Sequence, residues 1–262
     1  MLGVDRMGVF ELLLSTLRGE GVLVAGAALI AGFMRGLMGF GGAMIFVPAT
    51  AAVLGPPVAI SAIWFFDLLV QAPLVWRALR QVSWKEIGPL ALAAWALTPL
   101  GTVVLVLADR DHLRWAISAV VLIFVMLMAA GWRAPGVHST RGRIAVGALS
   151  GLVGGAVGMP GPPVILFYLS GGGSAQAVRS NLIVFFATLT MVTGLSLWGA
   201  GLVTKANGLL ALTLIVPFSL GAWLGTRAFP YASDQTYRRL AFALVAGVAI
   251  ISLPALDPLL GR

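Results

Sequence analysis

Two glycine ladders with one spacing constrain this chain more than any other feature. The first, Gly32-x-x-x-Gly36-x-x-Gly39-x-x-Gly42, lies in GFMRGLMGFGGAMIFVP; the second, Gly151-x-x-x-Gly155-x-x-Gly158-x-x-Gly161, lies in GLVGGAVGMPGPPVILF. The offset is 151 − 32 = 119, and it carries on downstream to pair Ser61 with Ser180 and Phe66 with Phe185. A fixed period of this kind is an internal repeat. In both halves glycines and prolines interrupt an apolar stretch at matching places, a pattern that points to the binding site of a repeat-built transporter.

The apolar share decides the solvent. At 60% hydrophobic and 10% charged residues, the chain lies well above the roughly 45–50% apolar content of a globular domain. It reads as an all-α integral membrane protein. Residues 1–20 mix Asp5, Arg6, Glu11, Arg18 and Glu20 with Val9, Phe10, Leu13, Leu14 and Leu17 at helical spacing, which predicts an amphipathic helix lying in the interface. Apolar segments follow at 21–54, 58–76, 87–107, 113–132, 144–170, 180–200, 207–226 and 240–257. Most suit one crossing of roughly 20 residues. A straight helix over 21–54 would reach about 50 Å, against a hydrocarbon core of about 30 Å. A helical hairpin folded at the glycines is therefore expected there and at the second ladder. One membrane domain results, with a first repeat over 21–133 and a second over 134–262. An odd number of crossings in each makes the two repeats inverted.

The net charge of +8 comes largely from short loops: Arg77, Arg80 and Lys85, then Arg133, Arg141 and Arg143, then Arg227, Arg238 and Arg239. Such loops face the cytoplasm, so the charge marks orientation and not nucleic acid. With paired hairpins all three loops fall inside. Counting Arg6, Arg18 and Arg262 as well gives two full crossings the same balance of basic residues. His112 and His138 lie in polar connections, and the absence of cysteine excludes thiolate metal sites. No cofactor is expected. No P-loop, zinc-protease helix or serine-hydrolase elbow occurs, which disfavours a pump or an enzyme. Trp76, Trp84, Trp115, Trp132, Trp198 and Trp223 sit near span ends as belt residues; Trp64, inside a span, either packs or lines a cavity.

Arg35 and Asp67 are the only charges expected well inside the membrane, where a charge costs enough to imply a role. Their repeat positions hold Gly154 and Phe186, so the pair belongs to one half. Arg35 is expected to bind an anion, with Asp67 as its orienting or proton-carrying partner; a purely structural ion pair is the alternative. Gly36, Gly39 and Gly42, with Gly155, Gly158 and Gly161, either let helices approach closely or bare backbone N–H groups and a helix dipole toward an anion. Pro160, Pro162 and Pro163 remove donors and oppose a continuous second helix. Gln71 and Asn181 are further substrate candidates, while Ser61, Ser180, Thr188 and Thr193 suit interhelical hydrogen bonds.

GFMRGLMGFGG together with GMPGPPVILFYL resembles the TauE/SafE family of membrane permeases, the sulfite exporter or TSUP family, across nearly the whole chain. The resemblance implies a secondary carrier for sulfite, sulfonates or related organosulfur anions, with its site at the two glycine breaks. Alternating access driven by the proton gradient is the expected mechanism, in a bacterial inner membrane. A passive anion channel and an intramembrane enzyme are the rival readings. The expected partners are a small anion, membrane lipid and protons; a homo-oligomer is compatible with the sequence.

Overall fold

A computed structural model describes residues 19–70, 72–131, 139–169 and 175–229. The described residues form ten α-helices and no strand: α1 (Gly19–Met38), α2 (Gly42–Leu54), α3 (Pro56–Val70), α4 (Ala72–Ala78), α5 (Trp84–Leu107), α6 (Arg110–Ala129), α7 (Thr140–Val157), α8 (Gly161–Leu169), α9 (Ala175–Gly199) and α10 (Lys205–Ala228). Gly21–Met38, Trp84–Leu107, Gln176–Gly199 and Lys205–Ala228 are long and apolar enough to cross a membrane. A helix of 24 residues, the length of α5 and α10, reaches about 36 Å, enough to span the hydrocarbon core with some tilt. The chain is an integral membrane protein. The expected interfacial helix over 1–20 falls almost entirely outside the described residues, as do the apolar segment 240–257 and Arg238 and Arg239.

Both ladders end their first helix in the same way. The Gly39 N–H bonds the Arg35 carbonyl at 2.8 Å, and the Gly158 N–H bonds the Gly154 carbonyl at 3.0 Å. Gly39 and Gly158 have φ of 76° and 72°, the left-handed conformation that glycine adopts without a Cβ penalty. Helix then restarts at Gly42 and at Gly161. Pro162 and Pro163 fall in the first turn of α8, where a missing N–H costs no intrahelical bond. In both halves the chain doubles back on its own first helix. A Cβ on Gly42 would lie 3.1 Å from the Ala31 carbonyl oxygen, and the Ser150 hydroxyl donates to the Pro160 carbonyl.

The earlier rungs of each ladder do a different job. A Cβ on Gly32 or Gly36 would fall 2.0 Å from the backbone oxygen of Phe218 or Ala222 on α10. On Gly151 or Gly155 it would fall 2.2 Å from that of Ala94 or Thr98 on α5. Glycines answer from the other side, Gly221 and Gly225 against Leu29 and Phe33, and Gly101 against Leu152. These backbones touch because no side chain intervenes, which is how small residues hold membrane helices together where burial from water supplies no drive. α1 with α10 and α5 with α7 are the two most extensive helix pairs. Phe66 on α3 stacks on Phe218 of α10, with ring centroids 4.7 Å apart, and meets Phe46 of α2 edge-on at 5.1 Å.

Candidate functional site

The two breaks meet at one cavity of about 60 Å³. A water centre needs about 10–15 Å³, so the space suits a few waters or a small oxyanion. Gly41, Ala43 and Met44 reach it from the start of α2, and Pro160 and Gly161 from the start of α8. Gly158 and Met159 complete the second break's share of the wall. Both restarted helices thus turn their N-termini, the positive ends of their dipoles, toward the same space. α3 supplies Ile60, Ile63, Trp64 and Asp67, and α9 supplies Phe186, Leu189, Thr190 and Thr193.

Arg35 enters the cavity from the last turn of α1. Its Nη2 lies 3.2 Å from the Asp67 carboxylate, and its Nη1 donates to the Gly39 carbonyl at 3.2 Å. The Arg35 side chain is 7% exposed and that of Asp67 21%, so the carboxylate is the more open member of the pair. The guanidinium carbon stands 5.4 Å from the Phe186 ring centre, in cation–π range. A guanidinium carries five N–H donors, so two contacts do not exhaust it. The bond to Gly39 ties the charge to the break itself. On the far wall Trp64 donates its indole N–H to the Thr190 carbonyl at 2.9 Å and packs where a Gly194 side chain would otherwise stand.

Of the residues singled out by sequence, Arg35, Asp67, Gly158 and Gly161 line this cavity together, and Trp64, Pro160 and Thr193 join them. Gly42 lies between the lining residues Gly41 and Ala43, with its Cβ position 3.5 Å from the Arg35 Cβ. Gly39 flanks the cavity: its carbonyl holds Arg35, while its Cβ position faces Ile183 and Arg179. Gly36 and Gly155 are in the helix interfaces with α10 and α5, away from the cavity. Asn181 is also elsewhere. Its Oδ1 accepts from the Ser83 N–H at 2.9 Å and its Nδ2 donates to Glu86 at 3.0 Å, at the N-terminus of α5. Ser61 and Ser180 donate to the Leu202 carbonyl and to Gln81, respectively. Thr188 bonds the Phe185 carbonyl of its own helix. Gln71 lies outside the described residues. Sequence reasoning missed Ile60, Phe186 and Thr190. Phe186 carried a signal, because 67 + 119 = 186 makes it the repeat counterpart of Asp67.

Comparison with known proteins decides the family. The family model described as sulfite exporter TauE/SafE matches residues 24–252. The chain belongs to the TauE/SafE family. A relative described as a probable sulfite/organosulfonate exporter TauE, from Cupriavidus necator (strain H16), is 28% identical over 255 residues, covering 94% of this chain and 97% of that protein. No solved structure matches the chain. The match takes in both breaks and the two helices, α3 and α9, that complete the cavity wall.

Proposed function

We propose that this family member is a secondary carrier for a small sulfur oxyanion, sulfite or an organosulfonate, moved by alternating access between two inverted repeats in a bacterial inner membrane. The observation that carries the reading is Arg35, a buried cation held in the cavity where both glycine breaks and two helix N-termini converge. An anion there meets a guanidinium and two positive dipole ends in a low-dielectric setting, where each counts for more than in water. Asp67 supplies the coupling. With its carboxylate charged, Arg35 is already paired; once Asp67 takes a proton, the guanidinium is left for the anion. Proton and anion binding then reinforce each other, as linkage requires.

Substitution of Arg35 tests this directly. Arg35→Ala should abolish saturable sulfite binding, and Arg35→Lys should keep the charge but lose the forked hydrogen bonds and bind more weakly. The double variant Arg35→Gln, Asp67→Asn should fold, because it leaves no unpaired buried charge, yet still fail to bind. Recovery of near wild-type affinity in that double variant would make the ion pair structural only.

Topology supplies a second check. Inverted repeats with inward basic loops require Gln81→Cys and Ser139→Cys to resist a membrane-impermeant thiol reagent added outside, and Asp109→Cys to react, in this cysteine-free background. Reaction of Gln81→Cys from outside would sink the arrangement.

A further inference from the structure

A second, larger cavity lies behind the first break. It measures about 590 Å³ and is lined by Arg77 in the last turn of α4, by Arg80 just after it, and by Gln176, Arg179 and Ser180 from α9. Three arginines face it, and no carboxylate lines it among the described residues. Arg179 is anchored at the C-terminal end of α1: it donates to the Gly36 carbonyl at 3.1 Å, and its guanidinium carbon sits 4.5 Å from the Phe229 ring centre.

The two cavities stand back to back across Gly39. On one side Ile183 and Arg179, both lining the larger cavity, lie 3.0 Å and 3.2 Å from the Gly39 Cβ position; on the other side the Gly39 carbonyl is held by Arg35. A single turn of backbone therefore separates the basic chamber from the buried guanidinium. The repeat makes the charge of this chamber one-sided. The counterparts of Arg77, Arg80 and Arg179 at the 119-residue offset are Ser196, Gly199 and Ile60, none of them charged. Ile60 instead fills the space beside Gly158, its Cγ1 2.7 Å from that residue's Cβ position.

We infer that the Arg77–Arg80–Arg179 chamber is a second anion subsite, which collects the transported oxyanion from the basic-loop face and delivers it to Arg35 across the Gly39 turn. This rests on the carrier reading of the Arg35 cavity. A cleft lined by one sign of charge concentrates counter-ions and raises association rates, most strongly at low ionic strength. Its arginines act on arrival, whereas Arg35 acts on holding. The chamber and the cavity are therefore separable in kinetics.

The test is stopped-flow sulfite binding to the purified protein, read through the change in its intrinsic tryptophan fluorescence, to which Trp64 in the cavity wall contributes. At about 10 mM salt, where the screening length is about 30 Å, Arg77→Gln and Arg80→Gln should each slow association several-fold and leave dissociation unchanged. At about 1 M salt, where it falls to about 3 Å, the difference should close, and Arg80→Lys should restore the wild-type rate at both. Arg35→Gln should bind no sulfite at any salt. Unchanged association rates in both chamber variants, with binding still dependent on Arg35, would overturn the chamber alone. If Arg35→Gln still binds sulfite, the reading of the cavity falls and takes the chamber with it. Each rate is repeated with added phosphatidylglycerol. Should that lipid abolish the effect of Arg80→Gln while wild-type binding stays Arg35-dependent, the arginines hold a headgroup and the inference fails.

Discussion

The two glycine breaks share one backbone and differ in what it carries. At each, a left-handed glycine closes a helix on the carbonyl four residues back, and the chain returns along its own path. At the first break Arg35 follows the ladder into the cavity; at the second its place is taken by Gly154, whose Cβ position is 2.9 Å from the Pro160 ring. The counterpart of Asp67 is Phe186. Both residues nevertheless flank Arg35, one as an ion-pair partner and one as a ring beside the guanidinium. Two breaks with the same backbone thus surround one ion pair, and both of its members come from the first half.

The shared part of the comparison should respond equally in both halves, and most severely. Gly36→Val and Gly155→Val each force a side chain into a facing backbone oxygen that has no rotamer to yield, so helix pairs α1–α10 and α5–α7 should separate. The expected outcome is loss of the monodisperse folded species in size-exclusion chromatography, with Gly26→Ala, which meets nothing within 4 Å, behaving as wild type. A folded Gly155→Val beside an unfolded Gly36→Val would show that the two ladders are not equivalent as packing devices.

The unshared part should respond unequally. Asp67→Asn leaves Arg35 buried without its counter-charge, a cost of about 3–5 kcal/mol where a buried pair is broken. Thermal melting should fall accordingly, and added sulfite should raise it more than in wild type by supplying the missing negative charge. Phe186→Leu removes the ring beside the guanidinium, worth about 0.5–2 kcal/mol, together with its edge contact to Phe185, breaks no ion pair, and should shift melting less. Equal shifts at the two positions would erase the distinction drawn between them.

Sequence revealed the charged part of the site because a charge in an apolar span has few explanations, and Arg35 and Asp67 had no other partner of their kind at that depth. It revealed the breaks because two ladders with one spacing are hard to produce by packing alone. It did not sort the rungs. Whether a helical glycine faces a neighbouring helix or a cavity depends on where α5 and α10 run, and that information lies more than forty residues away from either ladder's own pattern. Asn181 illustrates the same limit. A buried amide in a span satisfies itself on whatever polar group is nearest, here the Ser83 N–H and the Glu86 carboxylate at the start of α5. Ile60 was invisible as a wall residue for the converse reason, since an apolar residue in an apolar span carries no mark.

The pairing of α1 with α10 also sets an order of events during synthesis. α7 emerges 140 − 107 = 33 residues after the end of α5, but α10 begins 205 − 38 = 167 residues after the end of α1. At about 5–20 residues per second, the glycine face of α1 waits roughly 8–33 s for its partner. Until then the glycine face of the helix that carries Arg35 lacks the α10 backbone it lies against, and a nascent chain stopped before α10 holds one helix clasp closed and the other open.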